Sequence, residues 1–194
     1  NIEIVLNEID ALHNIDFVTR KIKEHTTVLR FLRIGTCGVI PGDVAPGACV
    51  LSQYALGFDG QMNFYPRELT PKEHGLLESV EPHLSTALRT ACYATQAASW
   101  FDGFSDLGEM GVTFTCPGFY AAQNRRLRVP IAEDSVITVV ENFSWPVARA
   151  LNFEMETAMI YGLGRALGHD CGSLSLAVYN RHTQEGLADQ YQAM

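Results

Sequence analysis

The chain has little with which to build a disulfide frame, a metal centre, a membrane span or a nucleic-acid surface. Its five cysteines, Cys37, Cys49, Cys92, Cys116 and Cys171, are odd in number, and no two form a C-x-x-C pair. Several lie in apolar runs, where a free thiol packs as a small hydrophobe. This usage points to a reducing compartment, the cytoplasm. The six histidines show no H-E-x-x-H or comparable ligand spacing, so no metal site is expected. No apolar run approaches the ~18 residues that a membrane span needs, so no membrane partner is expected. The opening residues read as a helix and not as a secretory leader. Lys and Arg number 14 against 22 Asp and Glu, a net charge of −8. No basic stripe offsets that balance, which argues against nucleic acid as a partner. A small anionic substrate is still allowed, because one local arginine can hold it inside an acidic protein.

What is present is an ordinary globular composition. Hydrophobic residues make up 47% of the 194 and charged residues 19%, enough for one domain, residues 1–194, with a substantial core. Ile2, Val5, Leu6, Ile9 and Leu12 recur at helical spacing. Thr27 to Ile34 reads as a buried strand, Gly42 to Gly47 as a loop and Ala48 to Leu56 as a second strand. Pro71, with Thr70 as N-cap, opens a helix expected to run to about Ala94, with Pro82 as a kink or break. Gly111 to Cys116 reads as a strand and Pro117 to Arg128 as a loop rich in arginine and aromatics. Ser135 to Val140 is apolar and β-branched. Asn152 to Leu167 reads as a packed helix stopped by Gly168, and Leu174 to Val178 as a last strand. Alternating strands and helices give an α/β class with a largely parallel or mixed sheet.

Ligands in such sheets collect near the carboxyl ends of strands, and three segments fall at such ends. In FLRIGTCG, Phe31 to Gly38, an apolar run carries Arg33 and then breaks into small residues. The guanidinium is a rigid fork of donors, the glycines admit a ligand close to backbone N–H groups, and Thr36 adds a hydroxyl. A strand-end turn with a solvated arginine is the plainer reading. In CPGFYAAQNR, Cys116 to Arg125, Gln123 offers both donor and acceptor and Arg125 donors only. Beside Phe119 and Tyr120 they suit a planar ring with adjacent carbonyl and N–H groups, or are simply a solvated loop. The third segment is AVYNRH, where Arg181 follows the strand. In a pocket it would stabilise negative charge on a leaving group.

A fourth segment, NFEMET, places Glu154 and Glu156 two residues apart, about 200° on a helix, so they share a side only if the backbone there is extended. A carboxylate there either favours a helix N-terminus or accepts hydrogen bonds from two adjacent sugar hydroxyls, with Met155 packing on the sugar.

Together and in this order, FLRIGTCG, PGFYAAQNR, NFEMET and AVYNR resemble the nucleoside phosphorylase superfamily, and within it the uridine phosphorylase branch. The resemblance implies a three-layer α/β fold, a mixed twisted sheet flanked by helices. It implies that Arg33 and Thr36 hold phosphate, with Gly35 offering backbone, and that Met155 and Glu156 bind ribose. Phe119, Gln123, Arg125 and Arg181 would bind the base, and Arg33, Gln123, Arg125 and Arg181 would be catalytic. The implied reaction is reversible phosphorolysis of uridine to uracil and ribose 1-phosphate. Inorganic phosphate is a co-substrate and there is no other cofactor. The purine branch usually carries an aspartate where this chain has Asn180.

The family's Gly-Asp-x-x-Arg phosphate loop lies upstream of the first helix and is not in this chain. Gly42-Asp43 does not replace it, because it follows the wrong strand and Pro46 stands at the arginine position. The chain, which has no initiator methionine, is therefore expected to lack an N-terminal phosphate-loop segment. A ribose-contacting histidine borrowed from a neighbouring subunit in the family implies a homodimer or higher homo-oligomer. Three alternatives stay open: a nucleosidase of the same fold, another nucleoside phosphorylase, or a nucleoside-binding protein without turnover.

Overall fold

The computed structural model describes residues 1–131 and 136–187. Helix α1 (Ile2–Asn14) is capped by Asn1, whose side chain accepts the Glu3 N–H at 3.0 Å. A hairpin of β1 (Ile15–Asp16) and β2 (Lys21–Ile22) follows. The main sheet contains β3 (Arg30–Val39), β4 (Cys49–Gly57), β5 (Tyr93–Gln96), β6 (Glu109–Thr115), β7 (Ala150–Glu154) and β8 (Asp170–Asn180). Its order is β5-β4-β6-β7-β3-β8, and β8 pairs back onto β4, so five of the strands close on themselves. Pairing is mixed: β3 with β8, β4 with β6 and β6 with β7 are parallel, while β3 with β7 and β4 with β8 are antiparallel. Closure leaves fewer unpaired edges.

Period-2 alternation decides what each face of the sheet meets. Val112, Phe114 and Phe153 join Tyr54 and Leu56 in one apolar cluster, against α2 (Pro71–Val80) and α4 (Val136–Glu141). Ala55 faces the other way, with Leu6 of α1 and Met159, Tyr161 and Leu163 of α5 (Thr157–Ala166). The intervening residues of β6 and β7 are polar and fully buried: Thr113, Thr115, Asn152 and Glu154. Thr113 Oγ1 bridges Ser52 Oγ (2.6 Å) and Asn152 Oδ1 (2.8 Å). The sheet therefore carries a polar stripe toward the N-terminus of α5. Thr115 Oγ1 meets that terminus directly, accepting the Ala158 N–H at 3.0 Å.

Helix α1 is tied down by a buried polar pair. His169 Nδ1 accepts the Leu29 N–H at 3.2 Å, which leaves Nε2 to carry the proton toward Asp10 Oδ1 at 3.1 Å. Helix α2 begins where expected, with a capping box between Thr70 and Glu73. Glu73 is fully buried and is matched by Arg165 of α5 at 2.8 and 3.1 Å.

Three expectations need correction, and one unassigned stretch finds its element. The strand expected over Thr27 to Ile34 starts at Arg30 and continues to Val39, through Gly35-Thr36-Cys37-Gly38, with a bulge at Cys37/Gly38. Nor is it buried on both sides, since Leu32 and Ile34 are 41% and 74% exposed. An unbroken apolar run cannot by itself distinguish one-sided from two-sided burial. The single helix expected to about Ala94 stops at Val80, gives way to a 3-10 turn at Pro82, resumes as α3 (Thr86–Ala91), and yields to strand β5. The helix expected from Asn152 is strand β7 until Glu154 and helix only from Thr157. Of the stretch Ser135 to Val140, Ser135 lies outside the described residues and the rest is helix α4. Its β-branched residues pack under Phe114 in the first cluster, and tertiary burial outweighs their strand propensity.

Gly108 lets β6 start hard against β4. A Cβ there would lie 2.1 Å from the Cys49 carbonyl oxygen, whereas at Gly103 it would meet nothing within 4 Å. Gly108→Ala is expected to cost about 1–3 kcal/mol, the usual range for overpacking, and Gly103→Ala about 0.5 kcal/mol or less. Urea midpoints of the two variants check this.

Candidate functional site

The site forms where β7 runs antiparallel to β3. Gly38 pairs with Phe153, so the chain leaving β7 passes alongside Thr36 and Arg33. Arg33 thus reaches the site from the middle of its strand and not from a strand end. The cavity, of about 490 Å³, is lined by segments that the sequence keeps far apart: Arg33, Thr36, Phe119, Gln123, Arg125, Met155 and Glu156 all contribute. Its size falls within the roughly 300–1,000 Å³ of small-molecule sites.

At one end Arg33 is held on three sides. Its Nη1 donates to Ser175 Oγ at 2.9 Å, and Nη2 and Nε donate to Glu156 Oε2 at 2.7 and 3.1 Å. Glu154 Oε2 lies 3.4 Å from Nη2. Gly35 does not line the cavity. It makes room for the arginine, since a Cβ there would lie 2.5 Å from Nη1. Glu154, its side chain 1% exposed, is an anionic cap for α5. It accepts the Glu156 and Thr157 N–H groups at 2.9 and 2.8 Å, the Thr157 hydroxyl at 2.8 Å and the Thr115 hydroxyl at 2.5 Å. The extended backbone at Glu154 puts both glutamates within reach of Arg33, which a continuous helix would forbid.

At the other end, Gln123 is buried on a 3-10 turn (Ala121–Gln123) and Arg125 follows Asn124 in the left-handed conformation. Arg125 Nη1 donates to Gln123 Oε1 at 2.9 Å, and its guanidinium lies 3.8 Å over the Phe119 ring. Arg181 stands behind this wall and does not line the cavity. It donates to the Gln123 carbonyl at 2.6 Å and packs 4.8 Å over the Phe153 ring. Burial lowers the pKa of both arginines below the ordinary arginine range, and Arg125 depresses Arg181 further. Among the described residues neither pairs with a carboxylate. Arg181 Nη1 also reaches Gln123 Oε1, at 3.5 Å, so two partly desolvated cations converge on one side-chain oxygen, an arrangement that favours a ligand gaining negative charge.

Asn180 is not part of the wall. Its amide donates to the Pro41 and Val44 carbonyls and accepts the His182 and Thr183 N–H groups, clamping the loop after β3 to the turn after β8. Sequence reasoning missed Ser175, which meets Arg33 only through the β3–β8 register that pairs Gly35 with Ser175. It also missed the lining residues Cys37, Gly38, Phe153, Val178 and Tyr179. Strand alternation alone could have paired Cys37 with Arg33 on one face; the rest needs the tertiary pairing.

Cys37 and Cys116 are poorly placed to act as thiolate nucleophiles. Burial, with Glu154 adding repulsion, pushes both thiols up to about 12. Cys92 and Cys171 are raised to about 12 as well, mainly by burial. At pH 8 iodoacetamide is expected to leave Cys37 unlabelled in the folded protein, as read by mass spectrometry. These groups carry raised folded values against an ordinary 9.0. Above pH 9 the unfolded chain therefore binds fewer protons than the native one, and stability falls as pH rises toward 12. Urea midpoints that decline from pH 8.5 to 10.5 check the sign.

Three comparisons bear on kinship. A family model for the phosphorylase superfamily matches residues 6–192. The uridine phosphorylase of Haemophilus influenzae is 26% identical over 163 residues, which cover 81% of this chain and 56% of that protein. This chain therefore spans little more than half the length of that curated relative. A crystal structure of a Trypanosoma brucei nucleoside phosphorylase, described as showing uridine phosphorylase activity, matches with a TM-score of 0.80 at 26% identity, over 99% of this chain and 72% of that one. The mixed sheet flanked by helices is the fold of these proteins. With nearly the whole chain matched by the family model, it belongs to the phosphorylase superfamily.

Proposed function

We propose that the protein catalyses reversible phosphorolysis of uridine to uracil and ribose 1-phosphate. The observation that carries the reading is one cavity with Arg33 and Glu156 at one end and Gln123 and Arg125 at the other. The relatives named for uridine phosphorylase activity support it.

Uracil presents a carbonyl, an N–H and a second carbonyl along one edge. Gln123 can both donate and accept, and Arg125 donates, so together they complement that edge. Cytosine, with an amino group and an unprotonated ring nitrogen, would leave buried groups unpaired. Glu156 accepts hydrogen bonds from the ribose hydroxyls and Met155 packs on the sugar. Arg33 and Thr36 hold phosphate against the anomeric carbon. The bond from that carbon to uracil N1 breaks with its electron pair on uracil, while a phosphate oxygen forms the new bond to the same carbon. The departing uracil accumulates negative charge, which Arg125 and Gln123 meet directly and Arg181 supports from behind. A proton from solvent completes uracil. The need for a cation where a hydrolase would need only water disfavours the nucleosidase alternative. The same reading takes the protein as a cytoplasmic homodimer or larger homo-oligomer.

Uridine absorbance is expected to fall in phosphate buffer and to stay constant without phosphate. Arg125→Ala is expected to lower kcat/KM for uridine by about 10²–10³, the usual cost of removing one preorganised donor to developing charge. Full activity in that variant would overturn the base-reading assignment.

A further inference from the structure

The two ends of the sugar–phosphate subsite hold each other. Both Nε and Nη2 of Arg33 donate to a single oxygen of Glu156, Oε2. The partners are unequal. The Arg33 side chain is 14% exposed and the Glu156 side chain 42%, so the arginine is the fixed member and the glutamate the one free to swing. On its other flank Arg33 keeps the Ser175 hydroxyl and stays 3.4 Å from Glu154. Glu154 itself cannot swing, because two hydroxyls and two backbone N–H groups occupy its oxygens. Releasing Glu156 therefore does not strand a buried guanidinium without a counter-charge, which is the step that makes breaking an ion pair costly.

We propose that the Arg33–Glu156 pair is an exchangeable latch that makes phosphate and the ribose of the nucleoside bind cooperatively. The inference rests on the phosphorolysis reading. Phosphate takes Arg33 and so frees the Glu156 carboxylate for the sugar hydroxyls; a sugar that takes Glu156 frees Arg33 for phosphate. Whichever ligand arrives alone must break the pair, and the second finds it already broken. The coupling is reciprocal by linkage, and the usual range for such coupling is about 5- to 150-fold in affinity. Glu154 is what confines the exchange to one carboxylate.

The test is calorimetric titration of inorganic phosphate into the full chain, with and without saturating pseudouridine. That carbon-linked nucleoside keeps the carbonyl, N–H, carbonyl edge and has no carbon–nitrogen glycosidic bond to cleave. Wild-type protein is expected to bind phosphate about 5- to 150-fold more tightly with pseudouridine present. In Glu156→Gln, phosphate alone binds more tightly than to wild type, and pseudouridine, at a concentration shown to saturate that variant, adds no further gain. Removing a negative charge would tighten phosphate binding by itself, so the lost coupling is the diagnostic result. Equal phosphate affinity with and without pseudouridine in wild type, or coupling undiminished in Glu156→Gln, overturns the latch. If either occurs while uridine is still consumed only with phosphate, the latch fails and the phosphorolysis reading stands. If wild type binds no phosphate even with pseudouridine and does not consume uridine, both fail.

Discussion

The Glu154 carboxylate, sealed between the end of β7 and the start of α5, is the constraint on which the site depends. Its oxygens fix the first turn of α5 through the Glu156 and Thr157 N–H groups, and fix the end of β6 through Thr115. The same charge stands 3.4 Å from Arg33, so β3, β6, β7 and α5 converge on one buried anion. A buried carboxylate is tolerated only when charge and hydrogen bonds compensate it, and here the compensation is itself the scaffold of the cavity. Displacing it would unseat the helix cap, the arginine and the Glu156 carboxylate together.

The sheet explains how such a group comes to be buried. In β6 and β7 the apolar residues Val112, Phe114, Leu151 and Phe153 alternate with the polar Thr113, Thr115, Asn152 and Glu154. Val112, Phe114 and Phe153 build a hydrophobic cluster with α2 and α4, Leu151 packs with Cys37, Val39 and Val50, and the polar residues build a hydrogen-bonded stripe ending at the site. The parallel pairing of β8 with β3 brings Ser175 to Arg33 and carries Arg181 behind Gln123. The Gln123–Arg125 wall and the Arg33 end are thus both referred to the same β3–β8 pairing, and the cavity lies between them.

Much of this was legible in the sequence. The order of FLRIGTCG, PGFYAAQNR, NFEMET and AVYNR carried the family and the fold, and Arg33, Thr36, Phe119, Gln123, Arg125, Met155 and Glu156 do share one cavity. The illegible parts have physical causes. Strand β5 was hidden because Leu84 and Leu88 continue a helical spacing past Pro82, and only packing ends the helix. The extended backbone at Glu154 was hidden because Phe153 and the apolar residues after Met155 fit a helix as well as a strand, and the carboxylate that caps α5 belongs to the strand before it. Gly35 read as an open approach to a ligand; its space is filled by Arg33's own guanidinium. In the sequence Asn180 marks only the position where the purine branch usually carries an aspartate; that its amide clamps two loops needs the tertiary structure.

The central claim is that phosphate, not water, takes the sugar from a pyrimidine read by Gln123 and Arg125. Phosphorus-31 NMR of the protein with uridine and inorganic phosphate tests it most directly. The account predicts a sugar 1-phosphate resonance that grows in step with released uracil while inorganic phosphate declines equally. Uracil released with free ribose and unchanged phosphate, or uridine left intact, would contradict it.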